Sequence, residues 1–195
     1  AVDFALLKDG KLIELHKEEE KSNFQAGDIF IAKIRKPVAG LNAAFVNVGF
    51  EKDAFLHYHD LGPNLASQLK FIKLVSAGKL KDFSLKTFQF DNEIDKDGSI
   101  TDVLSANQSI LVQVVKEPIS TKGPRISAEL SLAGRFIVLV PFSDRVSISQ
   151  KIENKKEKDR LKKLVQSVKP KGFGVIVRTV AEGKNTAELE KDLQN

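Results

Sequence analysis

Apolar and polar positions alternate with a period of two along much of the first half of the chain. AVDFALL and KLIELH flank Asp9-Gly10, a pair suited to a tight turn with positive φ, so residues 1–16 read as a β-hairpin. A lone hairpin is marginal in water, and the charged stretch Lys17–Ser22 gives it nothing to pack on. It reads as the opening of a unit completed elsewhere. From Gly27 the alternation predicts strands over Asp28–Lys36, Leu41–Val48, Ala54–His57, Ser109–Lys116 and Arg125–Ala128, with turns at Pro37, Gly40, Gly49 and Gly123-Pro124. Five short strands punctuated in this way predict a small closed barrel of the OB type. Residues 58–108 are polar and interrupted by Pro63, Gly78 and Gly98, and read as an insertion carrying a short helix or two. A second unit starts near Leu130. It comprises a strand at Gly134–Val140, a helix at Glu153–Val168 with Leu161, Leu164, Val165 and Val168 on one face, and a strand at Gly172–Thr179. Asn185 then opens a last helix, with Glu188 as its capping-box partner. The expected class is α+β, mainly β: a five-stranded barrel inserted after an N-terminal hairpin and followed by a mixed α/β subdomain.

Strand side chains point alternately to opposite faces. Ala44, Val46 and Val48 share a face suited to a barrel core, which leaves Ala43, Phe45 and Asn47 on the other. In the next strand Phe55 falls with Asp53 and His57. Phe45 and Phe55 thus share faces with polar residues. Two readings are open: they form a platform on which nucleic-acid bases stack, or the 58–108 insertion covers them. Lys33 and Arg35 share one face of the first barrel strand, and Lys122 lies in the turn TKGPR beside Arg125. These cations suit backbone phosphates, or an ordinary solvated edge. In the second unit Arg178, expected at a buried strand end, is followed by Thr179 and Gly183. A planar fork, a hydroxyl and open backbone N–H groups are the parts of a terminal-phosphate pocket. The lysines of 151–163 are interleaved with Glu153, Glu157 and Asp159 and read as a solvated helix face.

Composition sharpens this picture. A net charge of +5 suits a polyanionic partner. With no Cys, disulfides and thiolate chemistry are excluded. No apolar run approaches the roughly 20 residues of a membrane span, and no secretory leader opens the chain. The chain has no Met, so it is not expected to begin at a natural start. EIDKDG at 93–98 mimics a calcium loop, but the twelfth position from Glu93 is Leu104 where a bidentate Glu is needed. His57 and His59 lack a third metal ligand and read as surface groups. No catalytic triad, phosphate-binding glycine loop or carboxylate cluster is evident, so no catalytic or metal-binding residue is expected within 1–195.

Three segments, GLNAAFVNVGFEKDAFLH, ILVQVVKEPISTKGPRISAELSLAGRFIVLVP and GVIVRTVAEG, resemble the RNase E/G family in order and spacing, over roughly residues 24–190. The resemblance implies that residues 1–23 open an incomplete RNase-H-like subdomain. It implies an OB-fold RNA-binding domain at 24–128, with its insertion at 58–108, and a 5′-sensor subdomain at 129–195. It matches Phe45, Phe55 and Lys122 to the family's RNA-contacting residues. Arg178 and Thr179 match its phosphate-binding pair, and Gly134 and Val138 its pocket lining. Where many relatives carry a basic residue this chain has Gln150, which can hydrogen-bond but brings no charge, followed by Lys151, so contact with the first nucleotides is expected either to weaken or to shift to Lys151. The implied function is the RNA-binding, 5′-monophosphate-sensing portion of a single-strand-specific endoribonuclease of RNA processing and decay. The implied parent is a cytoplasmic homo-oligomer whose Mg²⁺-binding catalytic domain is absent from this chain. A non-catalytic OB-fold RNA-binding protein of translation or the ribosome is the rival reading, and a scaffold for degradation enzymes a third.

Overall fold

A computed structural model describes the chain apart from residues 1, 9–10, 19–23, 81, 119–122 and 195. Strands β1 (Val2–Lys8) and β2 (Lys11–Glu18) pair antiparallel as a two-stranded sheet of their own. The Asp9-Gly10 turn expected between them lies outside the described residues.

The barrel has five strands: β3 (Ile29–Val38), β4 (Ala43–Asn47), β5 (Ala54–His57), β6 (Ser109–Lys116) and β7 (Arg125–Ser127). They close in the order β3-β4-β5-β7-β6, with a parallel contact between β5 and β7 and antiparallel pairing elsewhere, the OB arrangement. Alternation fills the interior with Ala32, Ile34, Ala44, Val46, Ala54, Leu56, Ile110, Val112 and Ile126, all nearly or fully buried. Each large aliphatic side chain withdrawn in this way contributes about 1.5–3 kcal/mol. The strand expected from Leu41 starts later. Ala39–Leu41 form a 3-10 turn, and Asn42 takes a left-handed φ of 45°. Its side chain donates to Gly98 O (3.1 Å) and accepts from Ile100 N (2.7 Å), which fixes the bend and anchors the insertion.

The insertion carries α1 (Leu65–Ser76) and the short α2 (Ile100–Val103). Leu61, Leu65, Ile100 and Leu104 join Tyr58 in the barrel's core cluster. Gln68 of α1 donates to Ala128 O (3.0 Å) and accepts from Leu111 N (3.3 Å), so the helix is tied to β6 and to the chain leaving β7.

In the second unit β8 (Leu132–Ala133), β9 (Ile137–Pro141), β10 (Val146–Ile148) and β11 (Phe173–Val177) form a sheet in the order β10-β11-β9-β8. The strand expected from Gly134 begins at Ile137, because Gly134–Phe136 make the turn from β8, closed by Gly134 N on Ile137 O at 2.8 Å. Strand β10 had no sequence signal: three residues between Arg145 and Ser149 are too few to show a period. It runs parallel to β11. Helix α3 (Lys155–Val168) begins two residues later than expected, because Asn154 caps it by accepting from Lys156 N and Glu157 N. It buries Leu161 and Val165 against the sheet. In α4 (Thr186–Gln194) the capping box forms as read: Asn185 N donates to Glu188 Oε2 (3.1 Å), and Glu188 N to Asn185 Oδ1 (2.9 Å).

The two units are joined by polar and aromatic contacts. Buried Gln113 of β6 donates to Gly27 O and Ser131 O and accepts from Ser131 N. Phe71 of α1, Phe88 of the insertion and Phe142 after β9 pack edge to face at 5.5–6.3 Å.

Candidate nucleic-acid interface

Phe45 and Phe55 face outward, 38% and 44% exposed. They are direct cross-strand partners, with ring centroids 6.0 Å apart in a T-shaped arrangement. The insertion does not cover them, which removes one of the two readings open from the sequence. Their strand register continues on both sides. Phe45 pairs with Lys36 on β3, Phe55 with Arg125 on β7, and Arg125 with Lys116 on β6. All five side chains are exposed. At roughly 4.8 Å per strand, the stretch from Lys36 to Arg125 spans about 14 Å: a cation, two aromatic rings and a second cation.

Two bulges build this row. The register shifts between Ile34 and Lys36 and again between Val114 and Lys116. Without the first, simple alternation sets Arg35 opposite Phe45. With it, Lys36 takes the place beside Phe45, and Arg35 lies at the irregularity, its Nε on Asp53 Oδ1 at 3.1 Å. Lys33 is exposed but pairs with Asn47 and Ser109, away from the row. Lys33 and Arg35 are both exposed on either side of buried Ile34, and the cation directly beside Phe45 on β3 is Lys36. Arg125 reaches Asp60 Oδ1 at 3.4 Å. Beside Phe55 an open groove is lined by His57, His59, Pro124 and Arg125. Lys122 lies outside the described residues.

The second cluster forms at the C-terminal end of β11. Arg178 is exposed, where the sequence reading put it at a buried strand end, because β11 has already ended at Val177. Its backbone N donates to Phe136 O (2.8 Å) and its Nη1 to Gly134 O (2.8 Å). Among the described residues no carboxylate pairs with it. Because β10 runs parallel to β11, the loop leaving β10 arrives at the same end. Ser149 Oγ lies 3.0 Å from Thr179 Oγ1, and Ser149 N donates to Val177 O. Gln150 and Lys151 follow, both exposed, and Lys151 N reaches Ser149 Oγ at 3.4 Å. Val138 of β9 pairs with exposed Ile176 of β11. Thus Gly134, Arg178, Thr179 and the 149–151 loop converge, with Val138 one strand away.

Carboxylates hold the surrounding loops. Glu157 of α3 takes Arg160 Nε (2.7 Å) and Nη2 (2.6 Å) as a bidentate pair and also accepts from Gly183 N (2.8 Å). The Arg160 hydrogen bonds first, and the Gly183 N–H second, lower the Glu157 pKa from 4.5 to about 2. Lys184, then the Asn185 N–H, holds Glu188 below its ordinary value. Asp192 of α4 accepts from Arg135 N, Phe136 N and Ile137 N at 2.8, 2.8 and 3.0 Å. Sequence reading missed Lys36, Lys116, Ser149, Glu157 and Asp192 as parts of these clusters. Each is placed by pairing between distant segments, which leaves no local signal.

Chemically, the first cluster offers stacking faces between cations, and the second offers donors to an anion. Among the described residues no group of three or more His, Asp or Glu side chains is placed to hold a metal ion, and no helix is long and apolar enough to cross a membrane.

Comparison with known proteins follows the same lines. Residues 131–195 match the model of the ribonuclease E/G family. The chain is 34% identical over 188 residues, 96% of its length, to ribonuclease G of Escherichia coli K12. It is 34% identical over 190 residues, 97% of its length, to ribonuclease G of Haemophilus influenzae. It is 36% identical over 171 residues, 87% of its length, to ribonuclease E of a Nostoc species. It spans 35%, 35% and 21% of those proteins. With a family match over its second unit and similarity running through barrel and second unit alike, the chain belongs to the ribonuclease E/G family.

Proposed function

We propose that this chain is the RNA-gripping and 5′-monophosphate-sensing portion of a single-strand-specific endoribonuclease. The observation that carries the RNA-binding half is the register row Lys36–Phe45–Phe55–Arg125, two uncovered aromatic faces between cations. Bases of single-stranded RNA stack on Phe45 and Phe55, while Lys36 and Arg125 hold phosphates on either side, a role that the family resemblance extends to Lys122. The sensing half is supported by Arg178, exposed and without a carboxylate partner among the described residues, beside the Thr179 and Ser149 hydroxyls. A guanidinium fork and hydroxyl donors suit the dianionic end of a 5′-monophosphate, with Lys151 at the first nucleotides in place of the charge that Gln150 lacks.

In this reading residues 24–128 are the RNA-binding barrel, 129–195 the sensor, and 1–23 a strand pair belonging to an RNase-H-like subdomain. Holding the 5′ end raises the effective concentration of downstream RNA at the cleavage site of the whole enzyme. The chain spans about a third of the ribonuclease G proteins it resembles, and Mg²⁺ and bond cleavage are assigned to the remainder of the parent, as are homo-oligomerisation and roles in messenger and ribosomal RNA processing in the cytoplasm.

The test is fluorescence anisotropy with two A/U-rich oligonucleotides that differ only in a 5′-monophosphate or 5′-hydroxyl end. Arg178→Ala is expected to weaken binding of the phosphorylated oligonucleotide by roughly tenfold or more, the value of a charge-assisted hydrogen-bond pair, and to leave the hydroxyl oligonucleotide unchanged. Equal losses for both would sink the sensor assignment.

A further inference from the structure

The geometry points to Asp192 as a positioning residue of the 5′-phosphate pocket, an inference that rests on reading Arg178 and Thr179 as that pocket. Three successive backbone N–H groups, those of Arg135, Phe136 and Ile137, converge on its one carboxylate. Consecutive N–H groups turned to one point form an anion-binding nest, and here the anion is supplied from within the chain, some 55 residues away. The same turn holds Arg178 twice. The Phe136 carbonyl takes the Arg178 backbone N–H, and the Gly134 carbonyl takes Nη1, both at 2.8 Å. The order of constraint runs from Asp192 to the turn, from the turn to the Gly134 carbonyl, and from there to the guanidinium.

Two further observations set this apart from incidental packing. Asp192 lies in the last turn of α4, where the helix dipole disfavours an acid. Its position is explained by the nest and by nothing in the helix itself. Gly134 is packed so closely on the carboxylate that a Cβ there would fall 2.6 Å from Oδ2 and 3.0 Å from Ile137 O. Any larger residue at 134 would therefore push the Asp192 carboxylate away from the turn that grips Arg178. Asp192 touches no RNA in this account. It acts through Arg178, whose one side-chain partner among the described residues is on the turn that Asp192 organises.

The experiment measures dissociation constants of the full chain for the 5′-monophosphate and 5′-hydroxyl oligonucleotides in wild type, Arg178→Ala, Asp192→Ala and Asp192→Asn. Asp192→Ala is expected to lower the preference for the phosphorylated end by about tenfold, as Arg178→Ala does, at unchanged affinity for the hydroxyl end. Asp192→Asn keeps one acceptor oxygen and is expected to retain an intermediate preference. If the Ala variant is unfolded at the assay temperature, the Asn variant is judged by the same criterion. Retained or increased preference in a folded variant overturns the inference, and so does an equal loss for both oligonucleotides, which marks a purely structural staple. If Arg178→Ala itself leaves the preference intact, the pocket reading fails first, and the two failures are told apart.

Discussion

Phe45→Ala separates a binding platform from a packed core. Phe45 is 38% exposed, and its specific contact is the T-shaped pair with Phe55 at 6.0 Å. Truncation therefore forfeits an aromatic pair of about 0.5–1.5 kcal/mol and part of a side chain's burial, short of the 3–5 kcal/mol that Phe→Ala costs in a core. A loss near 1–2 kcal/mol lowers the melting temperature of a chain of this size by about 2–8 °C. The effect on RNA is larger in proportion. Each stacked base contributes about 1–3 kcal/mol, so affinity for a single-stranded A/U-rich oligonucleotide should fall by about 5- to 150-fold. Thermal melting followed by circular dichroism, with anisotropy titration at fixed salt, reads both quantities on one preparation. The slope of affinity against salt should not change, because no phosphate contact is removed. Unchanged affinity in a folded variant would refute the stacking argument, and a melting drop well beyond 10 °C would mark Phe45 as core.

The remaining expectations concern charge. Lys36→Ala should leave the melting temperature nearly unchanged and reduce the slope of log Kobs against log salt by about 0.7, the value for one phosphate contact on a single strand; Lys33→Ala, away from the row, serves as the control and should change the slope less. Glu157→Gln should destabilise the chain by about 1.5–3 kcal/mol near neutral pH, because it removes charge-assisted acceptors for Arg160 and Gly183. The folded pKa of Glu157 is depressed from 4.5 to about 2, so its contribution is fully present above pH 4.5. It is lost as pH falls through about 2, and urea titrations of wild type and variant should converge there. A stability difference that persists below pH 2 would show that the loss is packing and not charge.

The outward direction of Phe45 and Phe55 was readable because strand alternation is a two-residue effect, and the barrel-core residues beside them confirm the parity. Which cation stands beside Phe45 was not readable in the same way. Arg35 lies at a bulge, and a bulge is a property of the β3–β4 pairing that no three-residue window contains. The end of the second sheet shows the same division. GFGVIVRT is recognisable as a strand closing on Arg178, yet its neighbour β10 is three residues long and invisible as a pattern. With β10 hidden, the approach of Ser149 to Thr179 was hidden too.

By itself the sequence determined what short-range physics governs. It set the faces of β4 and β5, the apolar stripe of α3 and the Asn185–Glu188 capping box, where every interaction lies within a few residues. Tertiary structure alone decided which cations flank the aromatic pair and what holds Arg178. Lys36 gained its place through a register shift, Glu157 reaches Gly183 across 26 residues, and Asp192 reaches back to Ile137 across 55. Such contacts exist only once distant segments have closed on one another, because the loop entropy they cost is met by the cores of the barrel and the second sheet, not by the residues that make them.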